Sequence, residues 1–161
     1  MASLAKQRTA FPPPPGVDVG YALSEMSLLA LAVSTGELAM VPAVVDAILL
    51  HDVGAGDGAA RGKVLARAVN DGHGAWTPLT VAAALGLRPL LAFLVHDMGA
   101  DVTFGAHADS RTAMYGAALY GKVVSCEYLV EHEPTLDRAV CRSDGCVPLM
   151  AAARGQQLDT M

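Results

Sequence analysis

The sequence predicts an all-α fold of stacked helix-turn-helix units, and three observations carry that prediction. The first is an internal repeat. Thr77-Pro78-Leu79-Thr80-Val81-Ala82-Ala83 reappears as Thr112-Ala113-Met114-Tyr115-Gly116-Ala117-Ala118 and as Val147-Pro148-Leu149-Met150-Ala151-Ala152-Ala153. Both steps are 35 residues (112 − 77 and 147 − 112). A fixed period of this length marks units too small to bury a core alone, which stack so that neighbours supply it. The second is composition: hydrophobic residues make up 53% of the 161 and aromatics 5%. The core must then be built from Ala, Val and Leu, which suits thin, closely packed helices rather than a sandwich or barrel. The third is spacing, since Leu90, Leu91, Leu94 and Val95 recur as the apolar stripe of a helix.

Taken in order, residues 1–23 read as a tail expected to be disordered. Lys6 and Arg8 precede Phe11-Pro12-Pro13-Pro14-Pro15-Gly16, which cannot form the apolar core of a signal peptide. The prolines favour a stiff, solvated polyproline leader over a docking motif for a proline-recognition domain. The folded domain is placed at 24–161. Its first, degenerate copy (24–56) runs from Ser27-Leu28-Leu29-Ala30-Leu31-Ala32-Val33 to Gly36. Met26 to Leu50 is the most apolar region, but Ser34-Thr35-Gly36, Glu37, Pro42 and Asp46 interrupt it. A buried repeat is expected there, not a membrane span. From Ser27 to Thr77 is 50 residues (77 − 27), so about 15 extra residues intervene relative to the period. The glycines at 54, 56, 58, 72 and 74 bracket that insertion, placed at 57–71 and read as flexible.

The next copies fall at 72–105 and 106–140, with a truncated one at 141–161. Thr77 can cap a helix through its hydroxyl, and Pro78 suits a first turn whose N–H is unbonded anyway. Ala82, Ala83 and Ala84 favour helix and allow close approach. Gly86 and Gly121 follow their caps at equal distance. Gly99-Ala100-Asp101-Val102 and Glu133-Pro134-Thr135-Leu136 form the connecting loops, and Cys126-Glu127-Tyr128-Leu129-Val130 belongs to a second helix. Asp109-Ser110-Arg111 and Asp144-Gly145-Cys146 precede helix starts as turn residues would. Val147 stands where a capping threonine is wanted and cannot accept the bond. Gly116, inside a helix, carries a cost of about 1 kcal/mol relative to alanine.

These segments, over roughly residues 26 to 161, resemble the ankyrin repeat, whose period is about 33 and whose inner helix opens Thr-Pro-Leu-His-x-Ala. The resemblance implies an ankyrin-repeat solenoid with short β-turn fingers. It also implies protein binding through the fingers and the exposed inner-helix positions. In this sequence the finger positions are Trp76, Phe104, His107, Asp109, Arg111, Ser143 and Asp144. The inner-helix positions before the glycine are Leu85, Leu119 and Tyr120, joined by Arg154 in the last copy. Trp, Tyr and Arg are frequent interface anchors, although Trp76 and Phe104 fit finger-against-finger packing equally well; Tyr120 is the favoured contact. The family's histidine is absent: Ala30, Thr80, Tyr115 and Met150 take its place, so its hydrogen bonds must be missing or rebuilt. Gln156 falls at the last glycine position, and Gln157-Leu158-Asp159-Thr160-Met161 would begin an outer helix. A repeat lacking that helix leaves Leu149 and Ala152 poorly covered. The expectation is a fragment of a longer protein, with completion by a partner or oligomer as the alternative.

No catalytic constellation emerges. Gly54-Ala55-Gly56-Asp57-Gly58 lacks a preceding strand and the Gly-Lys-Ser/Thr ending of a phosphate loop, and Gly62-Lys63 is followed by Val64. His51, His73, His96, His107 and His132 have no carboxylate or thiol at a catalytic spacing. Cys126, His132, Cys141 and Cys146 do not match the paired spacings of structural zinc sites, and an odd cysteine count discourages a disulfide framework. A net charge of −5 without a basic cluster gives no reason to bind nucleic acid or an anionic membrane. The function expected is a non-enzymatic protein-interaction module needing no cofactor or metal. Its default setting is intracellular, cytoplasmic or nuclear, with a protein partner. The alternatives are a regulatory or substrate-recruiting repeat segment of a larger enzyme and a small metal-binding or redox protein.

Overall fold

The structure, a computed structural model, describes residues 27–52, 58–70, 76–105, 111–138, 145–157 and 159. In chain order the helices are α1 (Leu28–Ser34), α2 (Met40–Asp52), α3 (Gly58–Val69) and α4 (Pro78–Leu85). They continue with α5 (Arg88–Ala92), α6 (Ala113–Leu119), α7 (Val123–His132) and α8 (Pro148–Arg154). A π turn, Phe93–Asp97, extends α5, and a 3₁₀ turn, Pro134–Arg138, follows α7. No strand occurs among the described residues, and the tail at 1–23 lies outside them.

Three helices start by the same device. The hydroxyls of Ser27, Thr77 and Thr112 accept from the N–H of Ala30, Thr80 and Tyr115 at 3.2, 3.0 and 3.3 Å. Each bond satisfies a donor that the first turn leaves over. Val147 begins α8 with no side-chain cap, as its aliphatic side chain requires. At the other end, Gly36, Gly86 and Gly121 take φ of 76°, 78° and 66°, and Gln156 takes 57°. All four stand nine residues after their helix-start residue, in the left-handed region that closes a helix. Gln156 is held there although it has a Cβ, so the register of the repeat outweighs residue preference at this position.

Successive starts also pack in succession. Helix α4 lies against both α1 and α6, and α6 against both α4 and α8. Helices α2, α5 and α7 each pack on the helix that precedes them in their unit, and α5 touches α7. The core joins Leu79, Val81 and Ala82–Ala84 of α4 with Leu90, Leu91 and Leu94, and continues through Met114, Ala117 and Leu129. Small side chains let α4 and α6 approach so closely that a Cβ on Gly116 would stand 3.1 Å from Thr80 Cγ2 and 3.2 Å from the Thr80 carbonyl oxygen. The expected penalty at Gly116 is therefore offset by a contact that alanine would obstruct. Thr80, which stands where the repeat resemblance leads one to expect a histidine, bonds within its own turn, its hydroxyl lying 2.8 Å from that of Thr77.

The insertion departs from expectation. Most of 57–71 is helix α3 rather than flexible loop, with Val69 buried and Leu65 packed on the core. Just beyond it, the Asn70 side-chain carbonyl accepts from the N–H of Asp101 at 3.0 Å, tying the insertion to the loop after α5. No helix among the described residues is long and apolar enough to cross a membrane.

Candidate interaction surface

The residues singled out for binding separate once the helices pack. Trp76 is 2% exposed and belongs to the core, its ring centre 6.3 Å from that of Tyr120. Leu119, expected at the surface, is 4% exposed: α8 packs on α6 over it, and it belongs with Tyr115 and Ala152 to a second core cluster. Leu85 and Phe104 are half-buried, Leu85 packing against the main cluster. His107, Asp109, Ser143 and Asp144 lie outside the described residues.

Arg111 and Arg154 converge on Tyr115, and Tyr120 packs beside the same cluster. The Arg111 guanidinium sits 5.6 Å above the Tyr115 ring. From the next unit, Arg154 Nη1 donates to the Tyr115 hydroxyl at 3.3 Å and Nη2 to Cys146 Sγ at 3.4 Å. Tyr120 is half-buried; burial raises its hydroxyl above the ordinary phenol range, and the positive charge of Arg111 pulls the other way. It therefore stays a neutral hydrogen-bonding phenol at physiological pH. Arg154 is exposed while Tyr115 is buried, so this cluster offers solvent its guanidinium edge more than its aromatic faces.

A larger apolar surface lies on α8. Leu29, Leu79 and Met114 are 1%, 3% and 3% exposed, whereas Leu149, in the same register, is 52% exposed. Ala30, Thr80 and Tyr115 are 0%, 0% and 2% exposed, yet Met150 is 52% exposed. Ala152, expected to be poorly covered, is instead fully buried against α6. The repeat spacing points to Leu149, whereas Met150 stands where the resemblance leads one to expect a histidine and so carries no apolar signal of its own. Beside Leu149 runs a cavity of about 490 Å³ lined by Met114, Cys126, Val130 and Val147, with Asp137 and Arg138 at its edge. The Cys126 thiol on its wall is pushed up to about 11, chiefly by burial and secondarily by Glu127. A thiol so protonated is a weak nucleophile at neutral pH.

One turn along α8 from Met150 stands Arg154, so the apolar face borders the Arg111–Tyr115–Arg154 cluster. This gives one continuous surface, apolar at Leu149 and Met150 and cationic at its rim. Comparison with protein-family models and with curated proteins finds no match for this chain.

Proposed function

We propose that this chain is a protein-interaction module of the ankyrin-repeat kind, without catalytic activity of its own. The stacked units serve to present α8 to a partner. The observation that carries this reading is the half-exposure of Leu149 and Met150, at positions that are buried in every preceding unit. Completing their burial is worth about 1.5–3 kcal/mol for the pair, half of the full value for two large aliphatic side chains. The partner that fits is a protein segment with an apolar face to cover Leu149 and Met150. Acidic groups on that segment would meet Arg111, Arg138 and Arg154. Large apolar patches with a polar border are the usual form of such sites. Photocrosslinking in cells tests the reading, with a diazirine amino acid placed at Met150 or at the exposed Glu127 of α7. Adducts to a discrete partner at 150 and not at 127 are the expected result; adducts only at 127 would place the binding surface elsewhere.

A further inference from the structure

His96 stands in the π turn after α5 and His132 ends α7, and the contact between these neighbouring helices sets the two imidazoles together. Their Nε2 atoms are 3.4 Å apart and their ring centres 5.2 Å apart. Centres farther apart than nitrogens mean that the rings converge edge-on, nitrogen toward nitrogen, rather than stack. An ion held about 2.05 Å from each of two imidazole nitrogens, at the tetrahedral angle, separates those nitrogens by about 3.35 Å. With each ring centre about 1.1 Å behind its nitrogen, the centres would then be about 5.2 Å apart. Both distances are met.

The hydrogen bonding points the same way. His132 Nδ1 lies 2.8 Å from the Tyr128 carbonyl oxygen. A carbonyl can only accept, so Nδ1 carries the proton and Nε2 keeps its lone pair. This is the backbone bond that commonly fixes the tautomer of a metal-binding histidine. The Tyr128 hydroxyl lies 3.3 Å from His96 Nε2. A phenol at that distance is placed to bond a water on the same ion. Arg88 lies 5.7 Å over the Tyr128 ring, and its charge is offset by Glu131 at 3.7 Å. Both histidines are exposed, leaving room for water. Among the described residues no three His, Cys, Asp or Glu side chains gather into a metal-binding group, so the two imidazoles are the protein ligands on which the site rests.

We propose that His96 and His132 chelate a single Zn²⁺ ion, which clips together the ends of the neighbouring helices α5 and α7. Imidazole is a ligand type suited to this ion, and an ion bound to the folded chain but not to the unfolded one adds stability. Titration of the full chain, purified without a histidine tag, with Zn²⁺ tests the proposal. One ion should bind per chain, weakened about ten- to a hundredfold by either His96→Gln or His132→Gln. His51→Gln and His107→Gln should bind as wild type. The ion should raise the melting temperature of wild type and leave that of the His96 and His132 variants unmoved. Zn²⁺ should also shift the Nε2 resonances of both histidines in nitrogen NMR. Equal binding by all variants, loss of binding with Cys126→Ser or Cys146→Ser instead, or unshifted histidine nitrogens would overturn the site.

Discussion

Helices α6 and α8 occupy the same place in successive units, with every residue of one matched 35 positions later in the other (148 − 113). Helix α6 is capped by Thr112, lies between α4 and α8, and buries all seven of its residues. Helix α8 has no side-chain cap and packs on α6, while Leu149, Met150, Ala153 and Arg154 remain exposed. The chemistry of the two helices is similar; their neighbours are not. In a stacked array, whether a leucine is core or surface depends on what lies beyond it, because each unit borrows its core from the next.

Truncation is the strongest way to probe that contrast. Met114→Ala should cost about 2–4 kcal/mol in urea unfolding, the range for emptying a buried site. Leu149→Ala, half in water already, should cost less than about 1 kcal/mol. Equal losses would mean that α8 is as covered as α6. Glycine gives the next largest effect and a reversal of sign. Gly116→Ala should destabilise by about 1–3 kcal/mol through the contact with Thr80, although alanine is the better helix former. In α8 the matching residue is already alanine, the buried Ala151, and Ala151→Gly should cost about 1–2 kcal/mol from helix propensity and the lost buried methyl. A rise in melting temperature for Gly116→Ala would show that α4 and α6 do not approach as described.

Caps come third. Thr112→Ala should lose about 1 kcal/mol and Val147→Thr should gain about 1 kcal/mol, making the two helix starts equivalent. A thermal melt with no gain for Val147→Thr would remove the assigned start of α8. The last contrast is in pH. Cys126 ionises at about 11 when folded, against 9.0 ordinarily, because burial disfavours the thiolate. The folded state thus holds its proton more tightly. The resulting stability is complete below pH 9 and is lost as pH rises through about 11. Urea midpoints of wild type should fall more steeply over that window than those of Cys126→Ala; parallel curves would mean that the thiol faces water.

What was legible in the sequence was local. Caps at Ser27, Thr77 and Thr112, and turn positions at 36, 86, 121 and 156, depend on bonds within one turn, so spacing alone locates them. Helix α3 was hidden by its flanking glycines and by Arg61, Lys63 and Arg67 among its apolar residues. The stripe of Val64, Leu65, Ala68 and Val69 was the available signal. Leu119 was misplaced on the surface, and packing and contact could not be told apart for Trp76, because exposure is a property of packing between units, which a motif within one unit does not encode. The pairing of His96 with His132 was invisible for the same reason: neither has a partner within its own unit's ligand spacing, and only the stacking of α5 on α7 joins them.

The central claim is that the exposed face of α8 is where this chain meets its partner. Quantitative affinity capture from cells tests it most directly, comparing Leu149→Glu/Met150→Glu with Leu28→Glu/Leu31→Glu. The second pair lies on α1, where both leucines are also exposed, at the other end of the stack. Loss of a discrete partner with the α8 pair and its retention with the α1 pair is the predicted result. An unchanged partner set for the α8 pair would contradict the account.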